Sequence, residues 1–147
     1  MSDDLYREIL LEHARHPKRV GEMLDAHARG ECSNPMCGDR VAVSLLIESD
    51  KIKSLKILPS GCSISTASAS LMSEFVEGKS LHATAELITH INDTFTMKNA
   101  ANEWPMALEI LSPLKRIREN PLKIPCVLIS WIALSNALKN YNESTAS

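Results

Sequence analysis

The amino-acid sequence predicts an α+β fold in which a small antiparallel β-sheet packs against several helices. Two runs rich in Val, Ile and Leu within residues 41–58 flank a short turn, which indicates a β-hairpin. Apolar residues at helical spacing precede this hairpin and recur through most of the chain after it. The chain has 147 residues, 44% of them hydrophobic, enough for one core, and its sequence contains no repeat or low-complexity linker. The prediction is therefore a single domain over residues 1–147.

The N-terminal part of the chain predicts one helix followed by an irregular segment. Asp3 to Arg15 carries apolar residues at helical spacing, and the His16-Pro17 pair is a typical helix stop. Residues 17–40 contain several Pro and Gly without a sustained hydrophobic period. We therefore expect residues 17–40 to form an exposed loop.

The hairpin comes next. Alternating apolar residues predict a first strand over residues 41–47, Ser49-Asp50 a turn, and Lys51 to Leu58 a second strand. Ile52, Leu55 and Ile57 break strict alternation, which indicates a β-bulge.

Helices are predicted from residue 63 onwards. Small residues predominate from Ser63 to Ser70, so the first of these helices, which ends near Gly78, can approach another backbone closely. Ser80 is a suitable N-cap for a helix that reaches about Ile91.

Two further apolar stretches complete the chain. Residues 107–118 have a helical pattern interrupted by Pro113. Pro125 suits the first position of a last helix, which runs from Cys126 to about Tyr141.

Composition excludes several functions. Lys plus Arg total 16 and Asp plus Glu total 18, and only 4% of residues are aromatic, which argues against nucleic-acid binding. The basic group Lys115, Arg116, Arg118 and Lys123 is a solvated face or a docking patch for an acidic partner.

No apolar run is long enough to span a membrane. The acidic N-terminus is unlike an export or mitochondrial signal, so we expect a cytoplasmic protein.

The four cysteines are where chemistry is expected, since a chain without an export signal favours thiols or metal ligands over disulfides. Cys37 lies in a turn-forming segment with Asp39 two residues later. Cys62 and Cys126 fall at predicted helix starts, where the helix dipole favours a thiolate, so both thiols are predicted to be more acidic than a free cysteine.

Three thiolates and one carboxylate would satisfy a tetrahedral zinc site, and iron bound through sulfide would use the same thiolates. The spacings are weak evidence by themselves, and inert buried cysteines remain the alternative. Asp39 can also be read as a turn residue only. Cys32 is read as a surface or half-buried thiol without a ligand role.

Three cysteine motifs occur in a specific order. They are Cys37-Gly38-Asp39, Gly61-Cys62-Ser63-Ile64-Ser65, and Cys126 followed by Ser130-Trp131. Together with Leu5-Tyr6-Arg7-Glu8-Ile9 and His16-Pro17-Lys18-Arg19, they resemble the U-type iron–sulfur cluster assembly family, which includes the NifU N-terminal domain and IscU. The form of the second motif and the long interval before Cys126 make the chain most similar to the SufU branch.

The resemblance implies a SufE/NifU-like α+β fold and a metal or cluster site formed by Cys37, Asp39, Cys62 and Cys126. It also implies a zinc-binding acceptor of persulfide sulfur from a SufS-like cysteine desulfurase, which passes sulfur to downstream iron–sulfur assembly or apo acceptor proteins. Cys126 is our candidate for the sulfur-accepting thiol. The alternative is a scaffold on which an iron–sulfur cluster is assembled and passed to apo proteins.

Two departures from the family pattern matter. Pro125 stands where the IscU branch has His and the SufU branch typically has Lys, so no role of that side chain can be transferred. The Leu-Pro-Pro-Val-Lys segment by which IscU binds its dedicated chaperone is absent, and we do not expect that partner.

Overall fold

The computed structural model describes residues 3–36, 38–96 and 104–145. Its elements, in chain order, are helix α1 (Asp3–Arg15), strands β1 (Ala28–Asn34), β2 (Asp39–Glu48) and β3 (Lys51–Ser60), helices α2 (Ser63–Val76) and α3 (Leu81–Phe95), a 3₁₀ segment (Met106–Glu119), and helix α4 (Ile124–Thr145). A three-stranded antiparallel sheet with helices packed against it confirms the predicted α+β class. No helix in the described ranges is long and apolar enough to cross a membrane.

The sheet has the order β1-β2-β3. The predicted hairpin is confirmed, with Glu48 paired to Lys51 across the turn. The bulge is also confirmed: Leu46 pairs with Ser54 and Ile47 with Ile52, so Lys53 is the extra residue of β3. The extra residue shifts the alternation of β3, which explains its irregular apolar pattern.

Strand β1 corrects the prediction of an irregular loop over residues 17–40. Its sequence, Ala-Arg-Gly-Glu-Cys-Ser-Asn, has few residues that favour strands. Pairing with β2 and coverage by α4 make it a strand nonetheless. Tertiary contacts thus override a weak local preference.

Helix α4 lies along β1 and covers the open edge of the sheet. The Asn136 and Asn140 side chains donate hydrogen bonds to the β1 carbonyls of Glu31 (2.9 Å) and Arg29 (2.7 Å). At Gly30 the two backbones are so close that an added Cβ would lie 2.3 Å from the nitrogen of Ala137. These contacts protect an edge that would otherwise expose unpaired backbone groups.

The remaining boundaries differ slightly from those predicted. The side chain of Ser80 caps α3 as predicted, but α3 continues to Phe95. The stretch around Pro113 forms 3₁₀ turns rather than an α-helix. Helix α4 begins at Ile124 and ends at Thr145, so it starts slightly before and ends slightly after the predicted bounds, with Cys126 in its first turn.

The core lies between the inner face of the sheet and helices α2, α3 and α4. It is mainly aliphatic, and its largest fully buried side chains include Trp131, Phe95, Leu45, Ile52 and Ile57. Helix α2 contributes mostly small side chains, among them Ala67, Ser68 and Ala69. Small side chains let α2 approach α4 closely, and both helices bring a cysteine to the same end of the sheet.

Candidate metal centre

Three of the four predicted ligands lie together at one end of the sheet. Asp39 begins β2, Cys62 directly precedes α2, and Cys126 lies in the first turn of α4. One ligand atom from each lies within 4.8 Å of the others. Asp39 is 1% exposed, Cys126 is 3% exposed, and Cys62 is half-buried. Folding therefore concentrates two thiols and a carboxyl group in one largely buried place.

Asp39 is held by the backbone at the start of α2. Its Oδ1 accepts a hydrogen bond from the backbone N–H of Cys62 at 2.8 Å, and the Cys62 thiol donates to its Oδ2 at 3.4 Å. Asp39 is therefore a structural partner of Cys62 and more than a turn residue.

Gly61 makes the close approach of Asp39 possible. It has φ +150°, and an added Cβ would lie 2.1 Å from Asp39 Oδ1. A side chain at position 61 would therefore displace the carboxylate from the Cys62 N–H. In the sequence, Gly61 stands out only as part of the second cysteine motif, although glycine is the residue that permits such a close backbone approach.

Cys62 is the N-cap residue of α2, with an extended backbone (φ −73°, ψ 165°). Its thiol makes no capping bond and turns toward Asp39 instead. The Ser65 hydroxyl donates to the Cys62 carbonyl at 3.0 Å and lies 3.8 Å from its sulfur. The sulfur therefore faces the site, while the carbonyl is bound by the helix.

The Cys126 thiol is less acidic than the sequence predicted. Burial, followed by the hydrogen bonds and charges of Cys62 and Asp39, raises the pKa of Cys126 to about 12. The prediction of an acidic thiol was wrong because removal from water and nearby negative charge outweigh the helix dipole. The sequence showed the helix start but not the two acidic neighbours.

Cys37, the remaining predicted ligand, lies outside the described residues, and its role stays a prediction. The residues around it form a tight connection between β1 and β2. The N–H of Gly38 donates to the Asn34 carbonyl at 2.8 Å, and the N–H of Met36 donates to Asn34 Oδ1 at 3.0 Å. Asn34 pairs with Asp39 in the sheet, so this connection begins beside the site.

Cys32 is not a member of the group of candidate ligands. It is half-buried on β1, lines a small pocket with Pro125 and Ile129, and has its pKa raised by burial. The prediction of a half-buried thiol at Cys32 agrees with this position.

In the basic stretch, Arg116 pairs with Glu119 and Arg118 stacks over Trp104, so both cations have partners.

The donor set fits a metal ion. Zn²⁺ accepts both sulfur and carboxylate oxygen in tetrahedral geometry, and iron in clusters is bound by thiolates. Asp39, Cys62 and Cys126 each carry negative charge when deprotonated, and a cation among them would offset both their repulsion and the cost of their burial.

Comparison with known proteins identifies the class to which this fold and site belong. The family model for the NifU-like N-terminal domain matches residues 5–147, nearly the whole chain. The chain belongs to this family, whose IscU, NifU and SufU members are iron–sulfur cluster assembly proteins. The predicted resemblance is confirmed.

Individual relatives include both SufU and IscU proteins at similar identity. The zinc-dependent sulfurtransferase SufU of Bacillus subtilis is 29% identical over 136 residues, covering 92% of this chain and 90% of the relative. The iron–sulfur cluster assembly scaffold protein IscU of Thermotoga maritima is 31% identical over 135 residues, covering 92% of this chain and 93% of the relative.

Solved structures of similar proteins have the same fold as this chain. The crystal structure of FiSufU from Fervidobacterium islandicum superposes with a TM-score of 0.82 at 28% identity, covering 94% of this chain and 99% of that chain. The N-terminal NifU-like protein of Brucella abortus has a TM-score of 0.83 at 19% identity, covering 96% of both chains, and supports the fold.

Proposed function

We propose that this protein is a zinc-dependent acceptor of persulfide sulfur that acts with a cysteine desulfurase. The observation that carries the proposal is the meeting of Asp39, Cys62 and Cys126 within 4.8 Å in a largely buried place. A group of two thiols and one carboxylate suits zinc, and Cys37 is proposed as the fourth ligand. The similarity to a zinc-dependent sulfurtransferase supports the same activity.

A bound zinc ion would keep the thiols deprotonated and hold the site closed. The chain's own residues supply the rest. Asp39 is anchored by the Cys62 N–H, so it keeps its place when another ligand leaves. Cys126 is 3% exposed, so a donor can reach its sulfur only when the site opens locally.

The proposed transfer step is a simple displacement. The Cys126 thiolate attacks the terminal sulfur of a persulfide on the desulfurase cysteine. A new sulfur–sulfur bond forms at Cys126 as the donor's sulfur–sulfur bond breaks, and the donor cysteine leaves as a thiolate. One sulfur atom moves without net oxidation or reduction. The new persulfide then passes its sulfur to downstream assembly or acceptor proteins.

Metal analysis and desulfurase turnover test this proposal together. Protein purified without oxygen is expected to hold about one zinc per chain, with less in Cys126→Ser. Wild type is expected to stimulate a SufS-like desulfurase and Cys126→Ser to lose that stimulation. Cys32→Ser is the matched control, because it removes a thiol outside the ligand group, and it should retain both properties. A Cys126→Ser protein that stimulates like wild type would refute the proposal.

A cluster scaffold is the second candidate, favoured by relatives named as IscU scaffold proteins at 31% identity. The same ligands would then hold the cluster as cargo. Anaerobic reconstitution should produce a visible chromophore that moves to an apo acceptor protein. Iron with acid-labile sulfide and successful transfer would favour the scaffold, whereas zinc and no transfer would exclude it.

A further inference from the structure

The two helices that carry Cys62 and Cys126 are joined by buried hydroxyl groups. Ser68 of α2 is fully buried, and its hydroxyl donates to the carbonyl of Val127 at 2.8 Å. Ser130 of α4, also fully buried, has its Oγ 3.4 Å from that of Ser68. Because Val127 directly follows Cys126, this bond acts on the turn that presents the thiol.

Other buried serines of α2 bond elsewhere. Ser65 and Ser73 donate to carbonyls of Cys62 and Ser70, three residues back along the same segment. Ser70 Oγ is bound by Lys18 N–H and His13 on the other side of the helix. Ser68 is thus the hydroxyl that reaches α4.

We infer that Ser68 is a positioning residue for the candidate metal centre, setting the distance between the Cys62 and Cys126 thiols. Hydrophobic attraction between two helices is not directional. A hydrogen bond from a buried hydroxyl to a carbonyl has a preferred length and angle, so it fixes the register of the first turn of α4 against α2. The metal-binding role of this register rests on the proposed function, whereas the register itself follows from the hydrogen bond between the two helices.

Zinc affinity and a cobalt spectrum test the inference. The test variant is Ser68→Ala, and the matched control is Ser73→Ala. Ser73 lies on the same helix and is equally buried, but its hydroxyl bonds within α2. Zinc affinity, measured against a competing chelator, is expected to fall at least about tenfold in Ser68→Ala and no more than about twofold in Ser73→Ala. The thiolate-to-cobalt absorption of the Co²⁺-loaded protein should change in Ser68→Ala alone. Equal affinities and spectra for the two variants would overturn the inference.

A second measurement works without zinc. In a Cys32→Ser, Cys37→Ser background, a trivalent arsenical that binds two neighbouring thiols can use only Cys62 and Cys126. Its affinity should fall in the Ser68→Ala protein and be retained in Ser73→Ala. If wild type holds no zinc, the proposed function fails, while the arsenical result still decides the role of Ser68.

Should Ser68→Ala fail to fold, Ser130→Ala removes the longer, 3.4 Å contact and is expected to show the same change in smaller degree. A Ser130→Ala protein with unchanged arsenical and zinc affinity would then count against the inference.

Discussion

Replacement of Gly30 by Ala should destabilise the protein strongly, because Gly30 is where β1 and α4 touch. An added Cβ would lie 2.3 Å from Ala137 N and 2.4 Å from the Ala133 carbonyl oxygen. Both are backbone atoms of a helix, so neither can rotate away. An ordinary contact needs at least 3.4 Å, which means that α4 would have to withdraw by about 1 Å.

That displacement gives the expected magnitude. Overpacking typically costs about 1–3 kcal/mol. The hydrogen bonds from Asn136 and Asn140 to β1, now 2.9 and 2.7 Å, would stretch beyond hydrogen-bonding distance. Each contributes roughly 1 kcal/mol, so the free energy of unfolding should fall by about 3–5 kcal/mol in total. For a chain of this size, such a loss lowers the melting temperature by roughly 10 °C.

Urea denaturation followed by circular dichroism measures the loss. The control is Gly78→Ala, the same chemical change at a residue with φ +87° and no atom within 4 Å of an added Cβ. The control should lose only about 1–2 kcal/mol, from backbone strain alone. A Gly30→Ala protein no less stable than Gly78→Ala would refute the steric argument.

Three further changes test other contacts. Gly61→Ala should displace the Asp39 carboxylate and lower zinc affinity by about 10–100-fold in a chelator competition, and unchanged affinity would contradict the role given to Gly61. Burial lowers the pKa of His13 below 6.5, so the unfolded chain binds a proton first as the pH falls. The excess in free energy of unfolding of wild type over His13→Asn should therefore be fully present above pH 6.5 and decline below it. An excess that grows as the pH falls would refute the sign of this pH dependence. Asn140→Ala should lower the free energy of unfolding by roughly 1 kcal/mol in urea denaturation, and no loss would show that its bond to β1 contributes nothing.

Local sequence patterns predicted most secondary structure. Helix α1 has the bounds that its apolar spacing predicted, and the hairpin of β2 and β3 follows from two runs of strand-forming residues around a turn. These elements are predictable because their side chains repeat with the period of the element they form. Strand β1 alternates buried and exposed residues, but its inward-facing residues, which include Ala28 and Gly30, are too small to give a clear strand signal, and Gly30 is placed for contact with α4.

The sequence by itself determined the α+β class, the family and the residue types available for a metal centre, because short motifs and periodicity carry that information. Only the tertiary structure brought Asp39, Cys62 and Cys126 within 4.8 Å. Asp39 and Cys62 are separated by 23 residues, and Cys126 arrives on the last helix. The proton affinity of Cys126 also depends on this meeting, since burial and two acidic neighbours reverse the effect expected from a helix start. Distances between remote residues and their shared loss of water are properties of packing, which no local pattern encodes.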